Sequence, residues 1–279
     1  MSARTLDDIA PNGHPLELLF EQRELPKFEL PSALTELYSG TLGFASPRVF
    51  ANFVASLDGV VALPGEIESG QIISGKNAAD RFVMGLLRAC ADVVLIGAGT
   101  FRKSPGHLWF PERIYPPGAA LFAEARHRLG LHERPRLALV SRSGDIEVSE
   151  PALKDALIFT TRAGEERLRA HLPASTSLIA FEADRVYLSR VLEYLHEQGL
   201  KRVLCEGGPS LFAELVAAGL LDELFLTSAP AMFGRFREDQ RKSLASGLDL
   251  SGTSFELLSA RRHGSHLFLR YAQQKSSTR

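Results

Sequence analysis

One short stretch, residues 202–218, constrains the fold more than any other part of this 279-residue chain. It has the pattern of an apolar strand that begins at Arg202 and ends at Glu206, a turn that contains Gly207 and Gly208, and an amphipathic helix that begins at Pro209. Glycine can adopt backbone angles closed to other residues, and proline suits the first helical position because its missing N–H costs nothing there. A buried strand that leads directly into a helix predicts an α/β protein with a parallel sheet.

The same stretch predicts a binding loop for an anionic ligand. The unpaired N–H groups and the dipole at a helix N-terminus favour negative charge, which points to nucleotides and phosphorylated metabolites. Glu206 ends the strand beside this loop, where open α/β sheets place their ligand contacts. We therefore interpret Glu206 as a ligand-facing carboxylate. The alternatives are a solvated residue at a strand end and a glycine pair that only makes a plain strand-to-helix turn.

Composition and charge narrow the classes of function. The chain is 45% hydrophobic and 23% charged, enough for the core of one large or two small domains. Its net charge of −1 offers no basic surface for nucleic acid and no polybasic run for an anionic membrane. No apolar run reaches the roughly 18 residues that span a bilayer, and the N-terminus lacks the apolar segment of a signal peptide. These features favour a cytoplasmic protein that acts on a small molecule.

Cysteine and histidine spacing indicates neither a disulfide framework nor a metal site. Cys90 and Cys205 lie far apart with no Cys-x-x-Cys motif, which fits a reducing compartment and two core thiols. Four histidines lack the i, i+4 spacing of a helical zinc site: His171, His196, His263 and His266. No Ser or Cys occupies a recognisable nucleophile elbow, so hydrolytic chemistry is disfavoured as well.

A second candidate carboxylate follows the first long apolar strand. Residues 48–56 are apolar on both faces, as a central strand requires. Asp58 stands just past this strand and next to the flexible Gly59, so it is a plausible ligand-facing residue. Asp-Gly is equally common as a simple turn, and the sequence leaves both interpretations open.

Residues 70–77 nearly match the phosphate loop G-x-x-x-x-G-K-[ST]. We reject that motif because Asn77 replaces the hydroxyl that would hold magnesium and because a turn, not a buried strand, precedes it. Ser74 is instead expected to cap a helix from about Lys76 to Cys90. Arg88, near the end of this helix, either complements the helix C-terminus or reaches a ligand at the sheet edge.

A second glycine-rich loop, Gly97-Ala98-Gly99-Thr100, follows the predicted strand Asp92 to Ile96, which is apolar at every position from Val93 to Ile96. It holds only half of the dinucleotide fingerprint and lacks a convincing acidic partner, so it does not predict a Rossmann domain. The next stretch, from Arg102 to Gly118, is predicted as a long loop, and such loops often bind substrate or act as lids.

The remaining chain alternates helices and strands and ends in an antiparallel hairpin that turns near His263-Gly264. After the strand Arg136 to Val140, Ser141 and Arg142 offer a hydroxyl and a guanidinium suited to a 2′-phosphate. An ordinary exposed arginine in a turn is the alternative. We divide the chain into an N-terminal extension (1–47), a main domain (48–272) and a polar tail (273–279).

Four motifs occur in order between residues 48 and 272. They are Asn52-x-x-Ala55-Ser56-Leu57-Asp58-Gly59; Leu87-Arg88-Ala89; Asp92-x-x-Leu95-Ile96-Gly97-Ala98-Gly99-Thr100; and Glu206-Gly207-Gly208-Pro209, with Leu221-Asp222-Glu223-Leu224 and Ala229-Pro230 after it. Together they resemble the pyrimidine reductase family of riboflavin biosynthesis, the reductase part of the bifunctional deaminase-reductase.

This resemblance implies a dihydrofolate-reductase-like fold of three layers, with a mostly parallel central sheet, helices on both faces and a C-terminal antiparallel hairpin. It also implies NADPH as hydride donor, a homodimer, and reduction of the ribosyl group of an aminouracil phosphate to ribityl. The residues expected to bind NADPH are Val54, Gly97, Gly99, Thr100, Ser141, Arg142, Gly207, Gly208, Pro209, Ser210 and Leu211. The residues expected to bind substrate are Asn52, Asp58, Ser74, Arg88 and Glu206, with Asp58 and Glu206 as the catalytic carboxylates.

One departure from the family pattern bears on the substrate. Family members usually follow Gly-x-Gly-Thr with Asp-Asp-Pro and Leu-Thr-Val-Arg segments, whereas residues 101–110 here contain no arginine at the phosphate-binding position. Arg102, Lys103 or His107 could restore the charge. Apolar and stacking surface is added by Leu108, Trp109 and Phe110, so a pteridine such as dihydrofolate is an alternative substrate. A non-catalytic NADPH-binding protein is a third interpretation.

The zinc motif of cytidine-type deaminases is missing from the sequence. The chain therefore resembles a stand-alone, divergent reductase.

Overall fold

The computed structural model describes residues 6–65, 68–234 and 241–274. Within these ranges the strands are β1 (Glu17–Glu21), β2 (Arg48–Ala55), β3 (Val60–Ala62), β4 (Val93–Gly97), β5 (Arg136–Val140), β6 (Leu157–Thr161), β7 (Ser177–Phe181), β8 (Arg202–Cys205), β9 (Glu223–Ser228), β10 (Lys242–Ser243), β11 (Phe255–His263) and β12 (His266–Gln273). The helices are α1 (Leu6–Ile9), α2 (Ser32–Tyr38), α3 (Ser69–Ile73), α4 (Ala78–Ala89), α5 (Ala98–Arg102), α6 (Pro111–Ile114), α7 (Ala119–Arg128), α8 (Arg162–Leu168), α9 (Leu188–Glu197) and α10 (Pro209–Ala217). Short 3-10 turns occur at Pro11–Gly13, Pro116–Gly118 and Pro151–Leu153.

Ten strands form one sheet in the order β1-β11-β12-β9-β2-β8-β4-β5-β6-β7. Every neighbouring pair from β9 to β7 is parallel, whereas β12, β11 and β1 continue the sheet antiparallel. The hairpin between β11 and β12 turns at Gly264, which has φ 58°. Strands β3 and β10 form a separate two-stranded ribbon. The predicted α/β class, with a mostly parallel sheet and a C-terminal hairpin, is confirmed.

Helices cover both faces of the sheet and give it two cores. Side chains of α4, α7 and the N-terminal segment fill one core, and those of α9 and α10 fill the other. Along β4, Val94 and Ile96 face the first core while Val93 and Leu95 face the second. This alternation explains why the strand is apolar at every position.

The N-terminal segment packs on one core of the sheet and contains a strand that the sequence did not reveal. β1 pairs antiparallel with β11 and forms one edge of the sheet. Its Leu18, Leu19 and Phe20 are all exposed, so no alternating hydrophobic pattern marked it as a strand. The polar tail predicted at 273–279 begins at the last residue of β12, and residues 275–279 lie outside the described residues.

The start of α4 differs from the prediction. The helix begins at Ala78, and the side-chain oxygen of Asn77 accepts hydrogen bonds from the N–H groups of Ala79 at 2.9 Å and Asp80 at 3.0 Å. The expectation that Ser74 caps this helix was wrong, because Ser74 directly follows α3 and a turn separates it from α4. Asn77, which argued against a phosphate loop in the sequence, is therefore the N-cap residue of α4.

Two further boundaries differ. The glycine-rich loop predicted at residues 97–100 is the first turn of the short helix α5, with Gly97 at its N-cap. The sequence pattern predicts a helix from Glu165 to His171. In the structure this helix, α8, begins three residues earlier at Arg162, because the hydroxyl of Thr161 accepts a hydrogen bond from the N–H of Gly164.

Within the described ranges, no helix is long and apolar enough to cross a membrane. Cys90 and Cys205 are buried free thiols, as predicted. Burial raises the pKa of each thiol to about 12, so both stay protonated and unreactive.

Candidate active site

Two adjoining cavities lie at the carboxyl ends of the central parallel strands. The inner cavity has a volume of about 200 Å³, and the outer cleft is an open groove of about 1010 Å³. Thr100, Lys103, Gly208 and Pro209 belong to the walls of both. Because the two spaces share a wall, one extended ligand can lie in the outer cleft and reach the inner cavity.

The outer cleft is built around the turn between β8 and α10. The N–H of Gly97 donates a 2.8 Å hydrogen bond to the carbonyl of Gly207, which ties the end of β4 to this turn. Gly207 has φ 100°, and a Cβ at Gly208 would lie 3.2 Å from Oγ1 of Thr100. α10 begins at Pro209 as predicted, and the N–H groups of its first turn have no intrahelical partner. Such a turn is suited to a phosphate.

The far end of the outer cleft carries two arginines. Arg142 is exposed just after β5, and Arg185 precedes α9 with its guanidinium carbon 4.3 Å from the ring centroid of Tyr187. Neither takes part in an ion pair among the residues that the structure describes. The sequence analysis missed Arg185 and Tyr187, because residues 182–187 form a loop without a periodic pattern.

Ser141, predicted beside Arg142 at a 2′-phosphate, does not line the outer cleft. Its side chain is 2% exposed, and its hydroxyl has no hydrogen-bond partner within the described chain. The strand pairing turns this side chain inward while Arg142 points to solvent. The structure therefore brings only the arginine of this predicted pair to the cleft.

Apart from Ser141 and Asp58, every predicted site residue lines at least one of the two cavities. Those that line the inner cavity are Asn52, Val54, Ser74, Arg88, Thr100, Glu206, Gly207, Gly208 and Pro209. Those that line the outer cleft are Gly97, Gly99, Thr100, Arg142, Gly208, Pro209, Ser210 and Leu211.

Asp58, expected as a catalytic and substrate-binding carboxylate, lines neither cavity. It accepts hydrogen bonds from Oγ of Ser56 at 2.6 Å and from the N–H of Gly234 at 2.7 Å. These bonds, that of Ser56 first, hold the pKa of the Asp58 carboxyl below its usual value. The carboxylate thus fastens the turn after β2 to the segment after β9, and the structure does not bring it together with the other site residues.

Arg88 and Glu206 form a buried ion pair at the back of the inner cavity. Nε of Arg88 donates to Oε1 of Glu206 at 2.8 Å, and Nη2 donates to Oε2 at 2.7 Å. The two side chains are 2% and 7% exposed. Nη1 of Arg88 donates to the carbonyl of Phe110 at 3.4 Å. Arg88 therefore reaches the sheet edge. It does more than complement the C-terminus of its helix, which was the alternative.

His107 lies against the same guanidinium. Nη2 of Arg88 is 3.1 Å from Nε2 of His107, so Nε2 accepts a hydrogen bond and the ring proton belongs on Nδ1. Burial, together with the positive charge of Arg88, lowers the pKa of His107 to about 3. The imidazole is neutral at physiological pH and does not replace the missing phosphate-binding arginine.

The aromatic loop contributes less surface to the site than its sequence suggested. Trp109 lines the inner cavity and stacks on Phe101 with ring centroids 6.0 Å apart. Phe110 instead packs under the guanidinium of Arg134, 4.6 Å from its ring centroid, and Leu108 packs against the first core. Only Trp109 of the three offers a ring to a bound heterocycle.

Asp80 is a site residue that the sequence analysis missed. Its carboxylate lines the inner cavity, is 4% exposed, and accepts hydrogen bonds from the hydroxyls of Thr227 and Ser74. Its burial raises the pKa of the carboxyl to about 6. An acidic residue in the first turn of a helix is normally solvated and interacts with the helix dipole, so the sequence pattern offered no reason to single out Asp80. The available signal was the four-residue spacing of Asp80, Met84 and Arg88, which puts all three on one face of α4.

Among residues 6–65, 68–234 and 241–274, no group of three or more His, Cys, Asp or Glu side chains is placed to hold a metal ion.

Comparison with known proteins agrees with this geometry. Residues 47–269 match the RibD C-terminal domain family. A 2,5-diamino-6-ribosylamino-4(3H)-pyrimidinone 5′-phosphate reductase from Archaeoglobus fulgidus is 27% identical over 191 residues, which cover 67% of this chain and 82% of that protein. The riboflavin biosynthesis protein RibD of Bacillus amyloliquefaciens is 28% identical over 191 residues, covering 67% of this chain and 47% of its own length.

Among solved structures, a pyrimidine reductase-like protein from Corynebacterium diphtheriae superposes with a TM-score of 0.68 at 23% identity. The superposition covers 82% of this chain and 93% of that one, so the two share a fold. The family match spans the whole parallel sheet and both cavity walls, and on that basis the chain belongs to the RibD C-terminal domain family.

Proposed function

We propose that this protein is an NADPH-dependent pyrimidine reductase of riboflavin biosynthesis, which reduces the ribosyl group of an aminopyrimidine ribosyl phosphate to ribityl. The observation that carries the proposal is the outer cleft leading past Thr100 and the Gly207-Gly208 turn to the buried Arg88–Glu206 pair. A dinucleotide fits the first space and a small heterocycle the second. The names of the sequence relatives support the same reaction.

The residues of the outer cleft suit NADPH. Gly207 and Gly208 leave room for a pyrophosphate at the N-terminus of α10, where a Cβ would crowd Oγ1 of Thr100. Arg142 and Arg185 offer two exposed guanidinium groups for a 2′-phosphate at the other end. When bound, the reduced nicotinamide supplies a hydride to the substrate carbon. The protein's part is to hold both reactants in contact and to exclude water.

Glu206 is proposed to orient the substrate. Arg88 neutralises its charge and fixes both carboxylate oxygens, and each oxygen still has lone pairs able to accept a hydrogen bond from a substrate N–H or O–H. Because both partners are buried, this orientation is rigid, which a reaction that depends on the alignment of two carbons requires.

Lys103 is proposed as the cation for the substrate phosphate. It lines both cavities, and its Nζ donates to the carbonyl of Leu63 at 2.9 Å. Arg102 is directed away from the inner cavity and pairs with Asp145 at 3.3 Å, and His107 is neutral. Of the three residues that could replace the family arginine, only Lys103 combines a positive charge with a place in the inner wall.

A turnover assay tests the proposal. NADPH oxidation by the purified protein is measured with a ribosylaminopyrimidine 5′-phosphate, with dihydrofolate and with no acceptor. We expect oxidation with the first substrate alone. Reduction of dihydrofolate alone would instead establish a pteridine reductase, and NADPH binding without turnover on either substrate would indicate a binding protein.

The proposal includes a cytoplasmic homodimer, as in the family. The edge strand β1 supports self-association because Leu18, Leu19 and Phe20 are 40%, 49% and 45% exposed. Light scattering of the purified protein should give twice the 30.6 kDa of one chain, and a monomeric mass would contradict the dimer.

A further inference from the structure

Two buried carboxylates face the inner cavity, and their surroundings differ sharply. Glu206 receives two hydrogen bonds from Arg88, at 2.8 and 2.7 Å. Asp80 receives hydrogen bonds only from the hydroxyls of Thr227 and Ser74, and it belongs to no ion pair within the described residues. Its neighbour Arg81 and the carboxylate of Glu206 are the charges that act on it.

This difference separates the two groups by their partners, a guanidinium for Glu206 and two hydroxyls for Asp80. The guanidinium of Arg88 donates to both oxygens of Glu206 and holds this carboxylate in place as an acceptor of hydrogen bonds. A carboxyl that is 4% exposed and has no bonded cation favours the protonated form, and burial raises the pKa of Asp80 to about 6. Two titratable groups in one site with such opposed surroundings are the usual mark of separate acid and binding roles.

We propose that Asp80 is the proton donor of the reduction and that Glu206, held by Arg88, only orients the substrate. The inference rests on the proposed reductase function and adds to it a catalytic residue on α4. Asp80 shares its helix face with Met84 and Arg88, and all three line the inner cavity. The donor and the ion pair therefore belong to one rigid element.

The reaction needs such a donor. Reduction of a ribosylamine to a ribitylamine adds one hydride and one proton and breaks the C1′–O4′ bond. The bond breaks as the amine lone pair forms a carbon–nitrogen double bond, which then accepts the hydride at C1′. The proton goes from Asp80 to O4′, which leaves as a hydroxyl rather than an alkoxide. Water returns a proton to the Asp80 carboxylate, so atoms and charges balance.

Other charged groups in the inner cavity set the background for any titration. They are Glu68, Lys76, Arg81, Arg88, Lys103, His107 and Glu206. Burial and Arg88 hold the pKa of His107 at about 3, so this ring does not titrate in the range in which Asp80 does. A change in kcat/KM between pH 5 and 7 that disappears in the Asp80→Asn variant can therefore be assigned to Asp80.

The first test is the pH dependence of kcat/KM for the wild type, Asp80→Asn, Glu206→Gln and the control Glu36→Gln. Glu36 is exposed on α2 and lines neither cavity. We expect the wild type to lose activity as pH rises through about 6, and Asp80→Asn to lose about 10²–10⁴-fold in rate together with this pH dependence. Glu206→Gln should mainly raise KM and keep the pH dependence. An Asp80→Asn enzyme within threefold of the wild type, or with an unchanged pH profile, overturns the proposal.

The second test needs no turnover. Infrared difference spectra between the wild type and Asp80→Asn report the protonated carboxyl band of Asp80, which we expect to titrate near pH 6. A carboxyl already ionised at pH 5 overturns the proposal. Trp109 is the only tryptophan and lines the inner cavity, so its fluorescence shows whether Asp80→Asn still folds and binds NADPH.

The tests separate two kinds of failure. A wild type that reduces no ribosyl substrate refutes the proposed function, and with it the proton transfer. An active wild type whose Asp80→Asn variant is equally active refutes the role of Asp80 alone.

Discussion

Arg88 and Glu206 join the end of α4 to the end of β8 through two parallel hydrogen bonds, of 2.8 and 2.7 Å, in a site where both side chains are almost fully buried. A buried ion pair of this kind stabilises a protein little more than a well-packed apolar pair would. Removal of one partner, however, leaves the other charge buried without a counterion. The pair therefore makes the positions of the helix and the strand depend on each other. The first prediction follows from this dependence.

Arg88→Met should destabilise the protein by about 3–5 kcal/mol, because it leaves the Glu206 carboxylate buried without a cation. The double variant Arg88→Met/Glu206→Met should recover most of the loss. Urea unfolding measures both. As a control, Arg134→Met removes the partner of the partly exposed Glu112 and should cost under about 1 kcal/mol. A double variant no more stable than Arg88→Met would contradict this account of the pair.

Gly208→Asp should abolish NADPH binding. The new carboxylate would stand at the N-terminus of α10, where the pyrophosphate is proposed to lie, and would repel it. Gly208→Ala is the matched control, since its Cβ would lie 3.2 Å from Oγ1 of Thr100 but adds no charge. We expect a modest loss for alanine and no measurable binding for aspartate by calorimetry. Similar losses for both would point to crowding as the cause.

Arg142→Ala should weaken NADPH binding by about 1.5–3 kcal/mol and leave NADH binding nearly unchanged, as expected for a charge-assisted bond to the 2′-phosphate. Arg185→Ala tests the second arginine in the same way. Arg190→Ala serves as a control, because Arg190 is exposed, pairs with Glu193 at 2.8 Å and lines neither cavity. Equal losses of binding free energy for NADPH and NADH would show that these arginines do not bind the 2′-phosphate.

Lys103→Ala should raise KM for the phosphorylated substrate by at least about tenfold, which corresponds to the loss of one charge-assisted hydrogen bond. Arg102→Ala should have little effect on KM, because Arg102 pairs with Asp145 and lines only the outer cleft. Steady-state kinetics with the phosphorylated and dephosphorylated substrate check both. The prediction fails if Lys103→Ala weakens both substrates equally.

His107 should make the protein sensitive to acid. Its pKa is about 3 in the folded chain against 6.5 in the reference state, so the unfolded chain binds the proton more tightly. The folded protein is therefore most stable above pH 6.5 and loses up to about 5 kcal/mol of its free energy of unfolding as the pH falls toward 3. Asp80 acts in the opposite direction between pH 6 and 3.8, because its folded pKa is raised.

The two effects separate in an Asp80→Asn background. Urea unfolding of Asp80→Asn and of Asp80→Asn/His107→Gln between pH 7 and 4 should show a smaller loss of stability for the double variant. Equal losses would mean that another group causes the acid sensitivity.

Local signals in the sequence determined the fold class and the outer cleft. Continuous apolar runs such as Val93 to Ile96 predicted buried parallel strands. Glycine and proline at residues 207–209 predicted the turn and the start of the helix. These features depend on residues that are adjacent in the chain, so they could be read without a structure. The family resemblance then supplied Arg88 and Glu206 by position.

Only the tertiary structure decided which polar side chains meet. Asp58 and Ser141 looked equivalent to the residues that line the two cavities, because a strand end does not show where its side chain points once neighbouring loops pack on it. Asp80 looked like a solvated first-turn acid and is buried, because α4 turns that face toward β9 and the inner cavity. Burial, and the proton affinity that follows from it, depend on elements more than a hundred residues apart in the chain. A local sequence pattern carries no record of that contact.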